Sequence, residues 1–583
     1  MEKGRNYRQE GIDKESNRKI VIYGSGRYPK DFLYVFDFIH VSYYVDDEPH
    51  GHVKSFQILQ NEEKNSVLVI VCKYNEKKAD ENLKKIGFKK GMNYINAASL
   101  FHTLDFPIRD IAKKKDVYVY GTGDISHHFF HDFIERNPDI EIAGCVDSSL
   151  DKRGKTFFRR KIYTPDEVLD SKNSFFIIAS TLYYQEIKEK LMQYGKKEGK
   201  DFVSSLAVNQ WASWMMRETV YDVPRLNYVC PKPFQDAALM QEGRLSVCAG
   251  VRDVENWNIP LFYAGFDQVW HSNVMKILRL SVINGTYSFC DEKKCELKQN
   301  CGKRLIDTDE LHYTTSRSKE QLDMISKRDT FPKDFVFHES NYNIHEREYP
   351  EVVMCSFDST CNLHCPSCRP KRYAADRKQE EILHNFARRI ERELLPHVDR
   401  IKVAGDGEAF ASKVYRSIIF NPELSKKIRQ IGILSNGTLL TPYNFDKLIE
   451  NYDSVKIFIS MDGCTKETAE RLRAGADFKR WKDNMDYIGK KRQEKKIEFF
   501  GFNFVVQRDN YLEMPDFVRM CLGFHADGIK FSQLKRIGAQ SEEEFEQKSM
   551  FDVNGNMKPE LEEVIQDDIF KRPEVHLFTW INW

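Results

Sequence analysis

Three cysteines in one short segment are the residues of this sequence best suited to chemistry. Cys361, Cys365 and Cys368 form a C-x3-C-x2-C pattern directly after the apolar segment VVMCSF. Three thiolates on one loop can ligate three irons of a [4Fe–4S] cubane and leave the fourth iron open to a small molecule. A structural zinc ion would need a fourth protein ligand, and His364 inside the loop is poorly placed to supply it. The spacing favours a reactive iron–sulfur cluster, with zinc as the alternative.

Alternating strand and helix patterns surround this segment from residue 350 onward. Six apolar segments, separated by charged stretches of helix length, have the pattern of strands: VVMCSFDS, RIKVAGDG, IGILSN, SVKIFISMDG, FFGFNFVVQ and DGIKFSQL. Six βα units predict a parallel sheet that is covered by helices and curled into a partial barrel. The last segment, which ends in VHLFTWINW, predicts one more helix and one more strand. Such barrels work at the carboxyl ends of their strands, where the three cysteines fall.

The three-cysteine segment and its predicted barrel resemble the radical S-adenosylmethionine superfamily, from about residue 350 to residue 540. In that family the three-Cys loop follows the first barrel strand, and the amino and carboxylate groups of S-adenosylmethionine chelate the open iron. The resemblance implies reductive cleavage of that cofactor to a 5′-deoxyadenosyl radical, which abstracts hydrogen from a substrate. The protein would position the substrate and exclude water. One departure is Ser367, which stands where the family often has an aromatic residue that packs on adenine.

The ends of the next predicted strands carry further resemblance to this family. Gly405-Asp406-Gly407-Glu408 looks like the family's Gly-Gly-Glu turn, here with Asp at the second position. The resemblance implies that its carbonyls and Glu408 accept charge-assisted hydrogen bonds from the methionine ammonium. The later strand ends would offer polar groups to the ribose hydroxyls and the carboxylate. The implied cofactor-binding residues are Gly405, Asp406, Gly407, Glu408, Ser435, Asn436, Ser460, Asp462 and Asn503, with the turn from Gln507 to Asn510 as a further candidate.

A second group of cysteines precedes the predicted barrel. Cys230, Cys248, Cys290 and Cys295 are the predicted ligands of another [4Fe–4S] cluster, with Cys301 a spare or a replacement. Their spacing resembles the SPASM or twitch auxiliary domain of radical enzymes, although that module usually follows the barrel. Such a cluster would accept the substrate electron or orient the substrate. Four thiolates suit tetrahedral zinc equally well, so a structural zinc site stays open.

The N-terminal third contains a weak internal repeat. Two segments, which begin RKIVIYGSG and KDVYVYGTG, each show an apolar strand, a G-x-G turn, a helix and a second strand ending in Asp46 or Asp147. The pattern predicts two small Rossmann-like units. Both turns lack the third glycine of a dinucleotide fingerprint and have Pro29 and Ser126 there. The units resemble sugar-nucleotide or acyl-carrier recognition modules, and a structural or dimerising role is equally open.

With 583 residues the chain is too long for a single hydrophobic core. Its 89 Lys and Arg residues balance 88 Asp and Glu residues, which gives no reason to expect nucleic acid or an anionic membrane as a partner. The polar first residues and the lack of a long apolar stretch predict a cytoplasmic protein. The predicted α/β organisation is a Rossmann-like domain at 1–105, a second at 106–208, a Cys-rich auxiliary domain at 209–310, a linker at 311–348, and a partial (β/α)6 barrel with a C-terminal extension at 349–583.

The leading hypothesis is a radical oxidoreductase or modifying enzyme that uses S-adenosylmethionine and takes electrons from a reductase such as flavodoxin or ferredoxin. Its predicted substrate is a sugar-derived or other small metabolite. The first alternative is a peptide maturase, although no winged-helix-like leader-binding segment is apparent. The second alternative is a zinc-stabilised binding protein without catalysis. The oligomeric state stays open.

Cys464 follows Asp462-Gly463 at a predicted strand end. There it is a candidate for returning a hydrogen atom to a substrate radical, and the competing interpretation is a cysteine at a helix start with no role. Four other cysteines fall in apolar surroundings and are predicted to be packed interior residues: Cys72, Cys145, Cys355 and Cys521.

Overall fold

A computed structural model gives the fold of the chain. It describes residues 18–123, 126–127, 129–131, 133, 137–180, 183–208, 212–220, 230, 232–248, 265–290, 347–369, 371–403, 405–536, 540–552 and 555–578. The chain divides into two compact units: the first is Met1–Phe234 with Ala249–Glu346, and the second is Gln235–Cys248 with Arg347–Trp583. Almost all of the predicted linker at 311–348 lies outside the described residues.

The first unit contains a five-stranded parallel sheet. Its strands are β1 (Lys19–Tyr23), β2 (Val41–Asp46), β3 (Lys54–Ser55), β4 (Val67–Val71) and β5 (Tyr94–Asn96). They lie in the order β3-β2-β1-β4-β5, and each neighbouring pair is parallel. All five residues of β4 are buried, which is typical of a continuous apolar strand covered on both faces.

A second sheet follows in the same unit. Its strands are β6 (Asp116–Tyr120), β7 (Ile142–Val146), β8 (Thr156–Phe157), β9 (Arg160–Tyr163), β10 (Ser174–Ile178) and β11 (Phe202–Ser204). They lie in the order β11-β10-β6-β7-β9-β8, and only the β8–β9 pair is antiparallel. In both sheets the strand that comes first in the chain has equivalent neighbours: β1 lies between β2 and β4, and β6 lies between β7 and β10. This shared order agrees with the internal repeat, and the Rossmann-like interpretation stays a prediction.

The helices described up to residue 290 lie between these strands and after them. Their bounds are Arg27–Val35, Lys77–Lys85, Ile108–Ala112, Pro165–Val168, Tyr184–Gln193, Ser205–Val208, Ala212–Thr219, Lys232–Gln235, Phe266–Trp270 and Asn273–Ile283. The last helix begins after Ser272, whose hydroxyl accepts the N–H of Met275 as an N-cap. It contains the buried Arg279, which donates to the carbonyls of Pro233 and Trp270 at 2.9 Å each.

The second unit is built on a nine-stranded sheet. Its strands are β12 (Asp236–Leu239), β13 (Leu245–Ser246), β14 (Val352–Cys355), β15 (Arg400–Val403), β16 (Gln430–Ser435), β17 (Val455–Ser460), β18 (Phe499–Val506), β19 (Gly528–Gln533) and β20 (Val575–Leu577). They lie in the order β13-β12-β14-β15-β16-β17-β18-β19-β20. Every neighbouring pair is parallel except β12–β13, which forms an antiparallel hairpin.

The six strands predicted from residue 350 onward are β14 to β19, and they are neighbours in chain order. The predicted last strand is β20, so the mixed α/β class with parallel sheets is confirmed. The hairpin of β12 and β13 was not predicted, because its residues fall in the stretch interpreted as an irregular Cys-rich domain. Only four residues form β12, and its two alanines and Asp236 have low strand propensity. The curling of this sheet into a partial barrel stays a prediction.

Capped helices follow the strands of this sheet. Their bounds are Arg377–Glu393, Lys413–Ile419, Pro422–Ser425, Pro442–Asn451, Lys466–Leu472, Phe478–Gln493, Met514–Gly523, Glu542–Lys548 and Pro559–Val564. Several begin after a residue whose side chain accepts a backbone N–H of the first turn: Asp376, Ser412, Asn421, Thr441, Thr465, Asp477 and Ser541. These caps fix the residue at which each of these seven helices begins.

No helix within the described ranges combines the length and the apolar composition that crossing a membrane requires.

Candidate active site

The three-Cys loop follows β14 at the carboxyl edge of the parallel strands. The N–H of Cys361 donates to the carbonyl of Tyr373 at 3.0 Å, and the N–H of Leu363 lies 3.5 Å from Cys361 Sγ. The N–H of Cys368 donates to the carbonyl of Cys365 at 2.9 Å, which closes a turn between these two cysteines. Cys365 is buried, Cys361 is partly exposed and Cys368 is exposed. The backbone thus holds all three cysteines in one loop beyond the end of β14.

Asn362 ties the loop to the end of a strand two places along the sheet. Its Nδ2 donates to Thr438 Oγ1 at 2.8 Å, and its Oδ1 accepts Asn436 Nδ2 at 3.0 Å. On the other flank, the N–H of His364 donates to the carbonyl of Ala474 at 3.0 Å, while its side chain is exposed. The loop is therefore held from the end of β16 and from the turn after the helix Lys466–Leu472, as well as from its own strand.

Arg473, whose side chain is only 15% exposed, brings a positive charge to the middle cysteine. Its Nε lies 2.8 Å from Asp462 Oδ2, and its guanidinium also interacts with the thiol of Cys365. Burial raises the pKa of the Cys365 thiol, and Arg473 opposes that shift. The sequence analysis missed this residue. The available signal was Asp462, since a carboxylate buried at a strand end requires a cationic partner.

Glu408 follows β15, is buried, and contacts the end of β16. Its carboxylate accepts Ser435 Oγ at 2.7 Å, the N–H of Asn436 at 2.7 Å and the N–H of Phe410 at 3.3 Å. Burial raises the pKa of the Glu408 carboxyl, and the bonds from Asn436 and Ser435 oppose the shift. Three residues proposed for one cofactor site, Glu408, Ser435 and Asn436, are therefore in direct contact.

Gly407 allows the turn before Glu408 to approach the Cys loop. Its φ of +75° is a left-handed conformation that side chains disfavour. A Cβ at this position would lie 2.2 Å from the carbonyl oxygen of Asp358 and 2.8 Å from that of Thr360. Only glycine fits this close approach of two loops.

The carboxylate of Asp406 accepts hydrogen bonds from its own turn, from the Cys loop and from the hairpin of β12 and β13. Its Oδ1 accepts the N–H of Gly407 at 3.0 Å and Arg369 Nη2 at 3.3 Å. Its Oδ2 accepts Ser359 Oγ at 2.5 Å and also the side-chain amide of Gln241, which lies between β12 and β13. The carboxylate therefore joins the unpredicted hairpin to the Cys loop.

Hydrogen bonds also hold the carboxyl ends of β17 and β18. Asp462 accepts the N–H of Val505 at 2.8 Å, and its carbonyl accepts Asn510 Nδ2 at 3.0 Å. Asn503 accepts Ser532 Oγ at 2.7 Å. Ser460, the last residue of β17, is partly exposed. Because Asn510 is buried and bonded within the protein, its turn braces the β18 end.

Cys464 lies against Glu513 at the same edge of the sheet. Its N–H donates to Glu513 Oε2 at 2.7 Å, and the hydroxyl of Thr465 donates to Oε1 at 2.9 Å. Burial, together with the charge of Glu513, raises the pKa of the Cys464 thiol to about 12. The thiol is therefore protonated at neutral pH.

The predicted auxiliary ligands are placed only in part. The N–H of Cys230 donates to Tyr287 Oη at 2.9 Å, and the N–H of Cys290 donates to the carbonyl of Tyr287 at 3.0 Å. Both cysteines thus contact one residue of the first unit. Cys248 belongs to the second unit, and its carbonyl accepts Ser246 Oγ. Cys295 and Cys301 lie outside the described residues.

The donor set of the three-Cys loop fits an iron–sulfur cubane: three thiols, a backbone N–H close to one sulfur, and cations beside the other two. Among the residues that the structure describes, no three His, Cys, Asp or Glu side chains converge as around a single metal ion. In a cubane each thiolate binds a different iron, so the three sulfurs do not converge on one metal ion.

In the first unit, Asp46 and Asp147, which lie at equivalent strand ends of the two repeats, are each paired with a lysine. Lys73 Nζ lies 2.5 Å from Asp46 Oδ1, and Lys152 Nζ lies 3.0 Å from Asp147 Oδ2. A hydroxyl from the G-x-G turn also donates to each carboxylate. The two repeats therefore carry the same polar arrangement at equivalent strand ends.

Comparison with known proteins gives a family match to a short part of the chain. Residues 113–201, which contain the strands β6 to β10 of the second sheet, match the model of the family "C2185-like, N-terminal". No curated protein matches the chain.

Among solved structures, the chain is similar to SuiB from Streptococcus suis bound to S-adenosylmethionine, with a TM-score of 0.32 and 14% identity over 47% of this chain and 59% of that chain. It is also similar to SuiB bound to the precursor peptide SuiA, with a TM-score of 0.28 and 13% identity over 48% of this chain and 58% of that one. For anSMEcpe with bound AdoMet the TM-score is 0.27 and the identity 18%, over 39% and 63%. The chain thus spans less than two thirds of the length of these proteins, and these TM-scores are too low to establish a common fold.

Proposed function

We propose that the second unit is the catalytic domain of a radical S-adenosylmethionine enzyme, with a [4Fe–4S] cluster on Cys361, Cys365 and Cys368. One observation carries the proposal: the C-x3-C-x2-C loop stands at the carboxyl end of parallel strands and is bonded to two later strand ends, through Asn362 and Arg473. Parallel α/β sheets place their active sites at this edge.

The neighbouring strand ends would hold S-adenosylmethionine. When bound, that cofactor supplies a 5′-deoxyadenosyl radical for hydrogen abstraction. Each carboxylate oxygen has two lone pairs, so Glu408 keeps acceptor capacity for an ammonium group beside its internal bonds. The proposed binding residues are Gly405, Asp406, Gly407, Glu408, Ser435, Asn436, Ser460, Asp462 and Asn503.

Cys464 is proposed to return a hydrogen atom to the substrate radical, which would leave a thiyl radical on its Sγ. One electron from the proposed reductase and one proton would restore the thiol. A hydrogen-atom donor must carry its proton, and the raised pKa of Cys464 keeps the thiol protonated. Its contact with Glu513 at the carboxyl edge of the sheet supports this role.

A second [4Fe–4S] cluster is proposed for Cys230, Cys248, Cys290 and Cys295, with Cys301 as a spare or a replacement ligand. The shared contact of Cys230 and Cys290 with Tyr287 supports the pairing of these two residues. A reductase such as flavodoxin or ferredoxin would supply electrons. The proposed substrate is a sugar-derived or other small metabolite, and a peptide is the competing class.

The test is anaerobic reconstitution of the full chain with iron and sulfide. Wild type should bind about four irons and four sulfides per cluster site and form 5′-deoxyadenosine from S-adenosylmethionine after reduction. Replacing Cys361, Cys365 and Cys368 together by Ala should abolish 5′-deoxyadenosine. The matched control is Cys145→Ala, a buried cysteine of the first unit, which should retain it. Colourless protein that contains only zinc would refute the proposal.

The substrate class is tested with deuterated candidates. Sugar-derived metabolites and peptides are incubated separately with the reduced enzyme, and deuterium in 5′-deoxyadenosine identifies the molecule that lost hydrogen. Label from a peptide alone would replace the small-metabolite proposal by peptide maturation.

A further inference from the structure

Arg369, the residue directly after the third cysteine, is held at all three ends of its guanidinium. Its Nη1 donates to the carbonyl of Ser359 at 2.6 Å, and its Nη2 donates to Asp406 Oδ1 at 3.3 Å. Its Nε lies 3.5 Å from Cys368 Sγ. Only 16% of the side chain is exposed. The carbonyl oxygen of Ser359 and the carboxylate of Asp406 thus hold the planar guanidinium with its Nε near Cys368 Sγ.

Asp406 is in turn fixed by three bonds besides the one from Arg369. It receives Gln241 from the hairpin of β12 and β13, Ser359 Oγ, and the N–H of Gly407. The carboxylate cannot turn away from Arg369 without losing these bonds. This position is where the chain departs from the Gly-Gly-Glu pattern it resembles, and a glycine there would have no group to hold the guanidinium.

We propose that Arg369 is a positioning residue for the cluster: Asp406 and Gln241 hold its guanidinium against Cys368 Sγ, and this contact raises the reduction potential of the cluster. Hydrogen bonds to the sulfurs and nearby positive charge favour the reduced, more negative form of an iron–sulfur cluster. The inference rests on the proposed function, since it requires a cluster on the three cysteines.

The test is a redox titration of the reconstituted full-length protein, followed by electron paramagnetic resonance. In Arg369→Met, the ratio of reduced to oxidised cluster at the wild-type midpoint should fall about tenfold, equal to a midpoint about 59 mV more negative for one electron. The matched control is Arg372→Met, which removes the same charge from an exposed side chain three residues away and should change the ratio less than threefold. Equal shifts in the two variants would overturn the inference, because charge alone would then explain them.

A double-mutant cycle tests the role of Asp406. If Asp406 aims Arg369, the shift caused by Arg369→Met should be at least halved in an Asp406→Asn background. Additive shifts would overturn the positioning role. If Arg369→Met takes up no iron, the Gln241→Ala variant serves as the test instead. A midpoint potential of its cluster more negative than that of wild type supports the inference. An unchanged midpoint potential overturns it.

The same samples separate this inference from the proposed function. Wild type that binds iron and shows no change in any variant contradicts the inference alone. Wild type that binds no iron–sulfur cluster contradicts both.

Discussion

Arg473 and Asp462 form an ion pair of 2.8 Å that joins the turn after the helix Lys466–Leu472 to the loop directly after β17. Asp462 is 1% exposed and also accepts the N–H of Val505, while Arg473 interacts with Cys365. One carboxylate thus connects the end of β17, the strand β18 and, through Arg473, the Cys loop. The position of the middle cysteine depends on a pair that is remote from it in sequence.

Arg473→Leu should destabilise the protein by about 3 kcal/mol, because it leaves the Asp462 carboxylate buried without its cation. The measurement is urea-induced unfolding of the full-length apo protein. Arg471→Leu is the matched control: its side chain is 57% exposed, and loss of its ion pair with Asp509 should cost less than about 1 kcal/mol. Equal losses in the two variants would show that the buried pair contributes no more than a surface contact.

Glu408 should make the stability of the apo protein decrease between acid and neutral pH. Burial raises its pKa in the folded state, so the folded protein binds a proton more tightly than the unfolded chain does. Its contribution is therefore fully present below the unfolded pKa and is lost as the pH rises through the folded pKa. The free energy of unfolding, measured from pH 4 to pH 8, should fall more steeply for wild type than for Glu408→Gln. Parallel curves for the two proteins would contradict the prediction.

The position of the three-Cys loop after a strand was predictable from the sequence. Cys361, Cys365 and Cys368 lie within eight residues, and the strand before them has a clear apolar pattern. Burial of cysteines in apolar segments was also predicted correctly, since Cys355 and Cys521 are both 0% exposed. Local pattern was sufficient in each case.

Residues that act across the sheet edge could not be predicted in this way. Arg473, Asn362 and Gln241 gain their roles from partners that are 11, 74 and 165 residues away, and each has an ordinary local context. The strand β12 was missed for a related reason: its four residues pair with β14, more than one hundred residues later. Tertiary pairing, and not local propensity, forms this strand.

Gly407→Ala should destabilise the second unit by about 3 kcal/mol or more. A left-handed φ costs a residue with a side chain about 1 kcal/mol, and a Cβ placed 2.2 Å from the carbonyl oxygen of Asp358 adds overpacking. Gly555→Ala is the matched control, since Gly555 has φ of +84° and no atom within 4 Å of its added Cβ. Urea unfolding should show only the conformational cost there. A loss at Gly407 no larger than at Gly555 would mean that the two loops can move apart freely.

Cys464 should react slowly with iodoacetamide, because only the thiolate is nucleophilic and its pKa is raised to about 12. At pH 8 its alkylation, followed by mass spectrometry of the Cys464 peptide, should be about a thousandfold slower than that of free cysteine. Burial is the main cause of the raised pKa, and Glu513 adds to it. Glu513→Gln removes that negative charge, so the pKa should fall and alkylation should become faster, whereas Glu450→Gln, at an exposed glutamate on another helix, should leave the rate unchanged. An unchanged alkylation rate in Glu513→Gln would show that burial alone raises the pKa of the Cys464 thiol.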